Sequence, residues 1–410
     1  MRVRSTLFGL SLLLVSLLLG ACDLVNPEPD LAPEPDLGPL LFPTRITNTQ
    51  VLSDVTVSGG TTPALYPDFY HTQDGGFLLS LYADPSHVRL YNSSYELVKE
   101  KRFEDAYTHS FSIERGLVLV GYDSEQEEYR ASFIDPTLQV RRQLSWAYPP
   151  LTRYRQIDLR LAEVGAGRYV LLIVRSGFPN EPGPPGHVLV GFSENEGLLW
   201  VKSGEEVLSD SELKLTDIAA DGQGGFVGVG TPFTSGEQSI LVGFDPQGNA
   251  QWQRSYAVRS VNRLTEVTRL HNGDYLLMGQ SQGSGRYREH GWYVRADAQG
   301  NEIWNSGKLW TEEEKGQSFM SLQDYNVNLV YSTSSRLYVI TDRTIGVGRT
   351  LEVGPDGTLL RQYNWPFTLD SDCSVARIQP RGDSQLDVLA KCLGLTRDSA
   401  TLRTVLYTIE

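Results

Sequence analysis

After residue 44 the chain alternates short β-branched and aromatic runs with clusters of Gly, Asn and Asp, and helical spacing is nearly absent. Such alternation reads as short strands joined by tight turns. One unit recurs, a polar turn followed by an apolar strand. Its clear copies are Asp74-Gly75-Gly76-Phe77-Leu78-Leu79, Arg115-Gly116-Leu117-Val118-Leu119, Gly167-Arg168-Tyr169-Val170-Leu171, Gly224-Gly225-Phe226-Val227-Gly228 and Asn272-Gly273-Asp274-Tyr275-Leu276-Leu277. Weaker copies are Ser335-Arg336-Leu337-Tyr338-Val339 and Ser384-Gln385-Leu386-Asp387-Val388. The anchors Phe77, Leu117, Tyr169, Phe226, Tyr275, Leu337 and Leu386 are spaced 40, 52, 57, 49, 62 and 49 residues apart.

A second unit follows most anchors. Phe244-Asp245-Pro246-Gln247-Gly248-Asn249-Ala250-Gln251-Trp252 and Ala296-Asp297-Ala298-Gln299-Gly300-Asn301-Glu302-Ile303-Trp304 are its best copies, with looser ones at 192–200 and 353–360. Asp or Pro opens the turn and Gly or Asn takes a positive φ, so the unit is a tight hairpin whose Trp falls on the outgoing strand. Each period then holds four antiparallel strands in roughly 50 residues, which is a β-propeller blade. Seven anchors predict an all-β, seven-bladed β-propeller over 44–410.

Blade seven has only three strands before the chain stops, at about 373–380, 385–391 and 401–409. An unpaired edge there invites aggregation. Ile46–Val51 is the one unassigned strand-like stretch, so it is expected to close the last blade. Cys373 and Cys392 are equidistant from the middle of the turn Arg381-Gly382-Asp383-Ser384. They should face each other across that hairpin, as a disulfide in an oxidising compartment or as a pair of free buried thiols.

The period and the Asp-x-x-Gly-x-x-x-Trp hairpins resemble the tandem propeller repeats of bacterial secreted proteins. More loosely, they resemble the quinoprotein-like repeats of the lipoprotein that assists outer-membrane protein assembly. The resemblance covers about 60–410 and implies a blade, not a reaction.

The first residues change the picture from a fold to a location. Arg2 and Arg4 precede an apolar run from Leu7 to Leu19 and then Gly20-Ala21-Cys22. A run of about 13 residues is short of the roughly 20 that span a bilayer, so 1–21 reads as a secretory signal. Leu19-Gly20-Ala21-Cys22 resembles the lipobox of bacterial lipoproteins. That resemblance implies cleavage before Cys22, a thioether-linked lipid on its sulfur and anchorage to the cell membrane or the outer membrane. Asp23 resembles the inner-membrane retention signal of enteric lipoproteins. Residues 22–43, with Pro27-Glu28-Pro29-Asp30-Leu31 and Pro33-Glu34-Pro35-Asp36-Leu37, form a Pro-rich acidic tether. Extended polyproline at about 3.1 Å per residue would let some 20 residues lift the body up to roughly 60 Å.

The formal charge is −14, from 36 basic and 50 acidic residues. This argues against a nucleic-acid partner. No cofactor or phosphate-cradling motif occurs, and no Gly-x-Ser-x-Gly. The six His are dispersed, so no metal or catalytic residue is assigned. Glu125, Glu127 and Glu128, and Glu312 to Glu314, form acidic loops without a calcium-loop pattern. Quinoprotein enzymes that resemble this fold hold their cofactor over adjacent cysteines, which Cys373 and Cys392 are not.

Short first-to-second and third-to-fourth turns gather on one face. Long second-to-third loops and blade connections open on the other, where binding normally lives. Trp146, Tyr148, Phe178, Phe233, Tyr287 and Trp310 sit in or beside that loop-rich face. Each either stacks on a ligand or caps a blade. The expectation is a lipid-anchored, non-catalytic binding or scaffold module for an envelope protein or polysaccharide. A glycan-active enzyme with carboxylates at the central channel, or a scaffold for outer-membrane protein assembly, are the alternatives.

Overall fold

The computed structural model describes residues 46–409 apart from 59–68, 82–85, 104–106, 124, 148–155, 166, 177–185, 209–212, 233–237, 258–261, 283–288, 311–326, 333–335, 344–346, 366–372, 382–384 and 396–398. The expected signal over 1–21, Cys22 and the expected tether over 22–43 lie outside the described residues.

Every anchor opens the second strand of a sheet or follows its first residue, and none is more than 2% exposed. Each seeds a four-stranded antiparallel sheet, and there are seven such sheets among the described residues. The first strands of the seven blades are Phe69–His71, Tyr107–Ile113, Gln156–Gly165, Leu213–Ala220, Asn262–Arg269, Val327–Ser332 and Cys373–Arg381. First strands of successive blades pack on one another from blade 1 to blade 5, and again from blade 6 to blade 7, so they line the inside of the ring. The molecule is a seven-bladed β-propeller.

The core is sliced between blades. Apolar residues of neighbouring sheets interleave, as where Tyr129, Phe133 and Trp146 of blade 2 meet Leu159, Tyr169 and Phe192 of blade 3. The same occurs around Trp292 between blades 4 and 5, and around Trp304 and Trp310 between blades 5 and 6.

The ring closes as expected, with a longer strand. Ile46–Ser58 pairs antiparallel with Ser399–Ile409, giving blade 7 its outermost strand. The seam is sealed by Leu52, Leu389 and Leu406 packing on Phe77, Leu79 and Tyr91 of blade 1. A buried polar set crosses it too. Thr408 donates to Asp387 at 3.0 Å, the Tyr95 hydroxyl meets Thr408 at 2.9 Å, and His71 lies 3.6 Å from Asp387.

The hairpin motif also joins blades. Asp245 Oδ1 accepts from the backbone N–H of Gln247 and Asn249, and Asp297 Oδ1 accepts from those of Gln299 and Asn301. Gly248 and Gly300 sit at φ +73° and +77°. They also receive the Trp of the preceding blade: a Cβ on Gly248 would lie 2.8 Å from the Trp200 ring, and one on Gly300 would collide with Trp252. Trp200 Nε1 donates to the Pro246 carbonyl at 3.0 Å, and Tyr256 donates to the Gly300 carbonyl at 2.6 Å. The Gly is therefore required twice, for its backbone angle and for its empty side.

Candidate functional site

Each first strand starts at the loop-rich face and ends at the hairpin face. Counting strands inward by register identifies equivalent positions around the channel. Three residues beyond each anchor, the second strand pairs with His109 in blade 2, Arg160 in blade 3, Asp217 in blade 4, Glu266 in blade 5, Leu329 in blade 6 and Arg377 in blade 7. One step nearer the loop-rich face the partners are apolar: Tyr107, Leu159, Leu215, Leu264, Val327 and Val375. One step further they are polar again, with Asp158, Lys214, Arg263 and Ser374. Blades 3 to 5 thus carry two tiers of titratable side chains on the channel wall, and blade 2 adds His109 to the inner one.

The tiers are wired together. Arg160 Nη1 lies 2.9 Å from Asp158 Oδ1, and Arg160 Nε lies 3.6 Å from Asp217 Oδ1. Asp217 Oδ2 accepts from the Val267 N–H at 2.9 Å, tying blade 4 to blade 5. Bulges at Thr216 and Thr265 interrupt the regular ladder next to these residues. Thr216 Oγ1 donates to the Leu264 carbonyl at 3.3 Å.

Burial dominates the electrostatics here. It pushes the Asp217 carboxyl up to about 6, against the opposing pull of Arg160 and two backbone N–H groups. It brings His109 down to about 4, with Asp158 opposing and Arg160 adding to the fall. Burial also lowers the Lys214 ammonium, with Asp158 opposing. Burial works against the Arg160 guanidinium, yet Asp158, Asp217 and Glu266 hold it above its ordinary range. His187, at the loop-rich end of blade 3, is 2% exposed and brought down to about 4 by burial and then by Lys214. Arg160 and Asp158 are 37% and 41% exposed and Asp217 13%, so the cluster is open at its outer tier.

None of these residues was singled out by sequence reasoning, yet a signal existed. With the repeats aligned on their anchors, His109, Arg160, Asp217 and Glu266 occupy one column eight or nine residues upstream.

The aromatic candidates fare differently. Trp146 is 4% exposed and stacks on Tyr129 and Phe192, each at 5.8 Å between centroids. Trp310 is also 4% exposed. Its Nε1 donates to the Gly357 carbonyl at 2.8 Å, and its ring packs on Tyr293. Neither presents a ring face to solvent. Both cap blades, because each apolar ring ends a blade just where the next begins. Tyr148, Phe178, Phe233 and Tyr287 lie outside the described residues.

Cys373 and Cys392 are direct register partners across the first two strands of blade 7, at their loop-rich end, and Cys392 is buried. The acidic stretch at Glu125 is a tight turn capped by Asp123, which accepts from the N–H of Glu125 and Gln126 and pairs with Arg130 at 2.7 Å. Glu312 to Glu314 lie outside the described residues. Among the described residues, no group of three or more His, Cys, Asp or Glu is placed to hold a metal ion.

No protein-family model matches the sequence, and no curated protein matches it. Solved structures do. The polysaccharide lyase Uly1 matches at a TM-score of 0.50 and 11% identity, over 86% of this chain and 91% of that one. BamB from Moraxella catarrhalis matches at a TM-score of 0.40 and 12% identity, over 87% of this chain and 99% of that one. At these identities the likeness shows the fold alone.

Proposed function

We propose that the protein is a lipid-anchored envelope propeller that binds a protein or an envelope polymer through its loop-rich face, without catalysis. The observation that supports this most is where the chain enters the ring. Ile46 pairs with Ile409 at the end of the third strand of blade 7, and Ser58 pairs with Ser399 at its start. Third strands run from the loop-rich face to the hairpin face, so the N-terminal strand begins at the hairpin rim. The proposed tether, 22–43, therefore joins the body at that rim and not at the loop-rich face. The 23 residues between Cys22 and Ile46 reach roughly 70 Å when extended as polyproline.

The rigid ring suits a docking platform. Loops of varied length gathered on one face of a packed scaffold are where binding residues are generally carried. The test is capture of cross-linked envelope partners by the intact protein and by a variant with 176–187, 231–238 and 280–290 shortened. The account expects the partner only with the intact protein, and equal recovery from both contradicts it. Anchorage is tested separately: Cys22→Ser should abolish lipid labelling and release the protein from membranes.

A Cys373–Cys392 disulfide belongs to the same reading, since an exported compartment is oxidising and the two residues are register partners. Thiol alkylation with and without reductant, read by mass, should modify both only after reduction.

A second reading has one observation in its favour. Asp158 and Asp217 flank Arg160 at the channel wall, at 2.9 and 3.6 Å, and a glycan-active enzyme needs two carboxylates near one another. Turnover of an envelope glycan that is lost in Asp217→Asn would favour it.

A further inference from the structure

We propose that the hairpin rim of the ring docks on an anionic bilayer surface, through a row of exposed apolar side chains backed by cations. This rests on the anchored reading and adds what a tether alone cannot do. A tether that reaches roughly 70 Å lets the body tumble, and a second contact gives it an orientation.

Eight large hydrophobic side chains are exposed among the described residues, and seven of them occupy one place in the repeat. They are Leu97 and Val98 of blade 1, Val140 of blade 2, Leu198 and Leu199 of blade 3, Ile303 of blade 5 and Leu360 of blade 6. Each lies within the first three residues of a fourth strand, directly after the hairpin. The eighth, Leu309, ends the short helix that follows the fourth strand of blade 5. Exposed apolar residues scattered singly are ordinary, but recurrence at one structural position is not.

The position has a backbone cause. In blades 1 to 6 the register of the fourth strand skips one residue just after the hairpin: Val98, Arg141, Leu199, Gln251, Ile303 and Leu360. Such a bulge re-aims the extra side chain. Arg141 and Gln251 show that the bulge forms with a polar residue, so the fold does not demand an apolar one there. Blades repeat radially about the ring axis, so equivalent positions share one height along it. Val98, Leu199, Ile303 and Leu360 therefore stand at one level of the rim. A ring of side chains at one level fits a flat surface better than a groove or a peptide.

Two further observations choose the bilayer. Ile46 enters the ring at this same rim, so the chain leading back to Cys22 arrives on this side. The fourth strands of blades 1 to 4 and 6 also carry eight Lys or Arg against one acid, Glu100, in a chain of net charge −14. Lys99 and Arg361 directly follow Val98 and Leu360. Apolar side chains beside cations make an interfacial contact: the first enter the boundary of headgroups and acyl chains, and the second meet lipid phosphates. Docking by this rim turns the loop-rich face away from the bilayer.

The test floats the mature chain with Cys22→Ser, which carries no lipid, with vesicles of phosphatidylcholine alone and of phosphatidylcholine mixed with phosphatidylglycerol. The expected result is binding to the mixed vesicles that weakens with added salt. Val98→Ser, Leu199→Ser and Ile303→Ser combined should weaken it by about tenfold or more, through lost apolar burial. Lys99→Gln should weaken it about fivefold, the share of one cation near an anionic surface. Gln251→Leu, which extends the row into blade 4, should strengthen it about fivefold. All five side chains are exposed, so melting curves should match the parent. No flotation, equal binding to both vesicles, or a triple variant that floats like the parent would each overturn the proposal. A dimer that the triple variant dissolves, without flotation, would overturn it by giving the rim to a second copy. Failure of flotation with Cys22 still lipid-labelled in the parent sinks this proposal and spares the anchor. Flotation without labelling does the reverse.

Discussion

Asp217 is a carboxyl group held where its charge is disfavoured, and that has a measurable sign. Its folded pKa of about 6 lies above the unfolded value, so its contribution to stability is complete below about pH 4 and is lost as the pH rises through 6. Asp217→Asn removes the titration. The stability of the parent relative to this variant should fall by about 2–3 kcal/mol between pH 4 and 7, read from urea midpoints. A flat difference would mean that Arg160 and the backbone N–H groups cancel the effect of burial. At this scale the sequence was least legible. The charged column is visible only after the repeats are aligned, because His109, Arg160, Asp217 and Glu266 share a position and not a chemistry. Bulges at Thr216 and Thr265 further break the period-two pattern that marks an ordinary strand. Trp146 and Trp310 left two roles open, ligand stacking or blade cap, because a Trp beside a loop looks the same in sequence whether its ring faces solvent or the next blade; burial decides for the cap.

The hairpin is the element whose chemistry was most legible, and its exceptions are instructive. Blades 4, 5 and 6 place Gly248, Gly300 and Gly357 at positive φ. Blades 1 and 2 place Tyr95 and Leu138 at the corresponding turn position, at φ +64° and +67°. Leu138 is fully buried, and Tyr95 packs against Phe77 and bonds Thr408. Tertiary contacts there offset a backbone angle that normally selects Gly. The Gly signature therefore faded in the two blades where packing replaced it. Where it is present, substitution should be costly. Gly300→Ala strains a positive φ and drives a methyl into Trp252, so chemical denaturation should show a loss of about 1–3 kcal/mol. A loss below about 0.5 kcal/mol would mean that the Trp clasp yields freely.

The whole molecule is a ring sewn shut by its own beginning. Seven anchors, a missing fourth strand and one unassigned strand-like stretch were enough to foresee this from sequence, because each blade repeats one strand order. The seam nevertheless carries contacts no repeat shows. Its polar set around Asp387 sits where the other blades have Leu78, Val118, Val170, Val227, Leu276 and Tyr338. Asp387→Ala removes the acceptor for Thr408 from a fully buried site and should cost about 2–4 kcal/mol, lowering the melting temperature. Closure also places Ile46, the first described residue, at the hairpin rim, where it pairs with Ile409. Hydrogen exchange read by mass spectrometry tests this most directly, on peptides covering 46–58 and 399–409. The account predicts that both segments exchange slowly and together, as paired strands of one blade. Rapid exchange of 46–58 while 399–409 stays protected would contradict it.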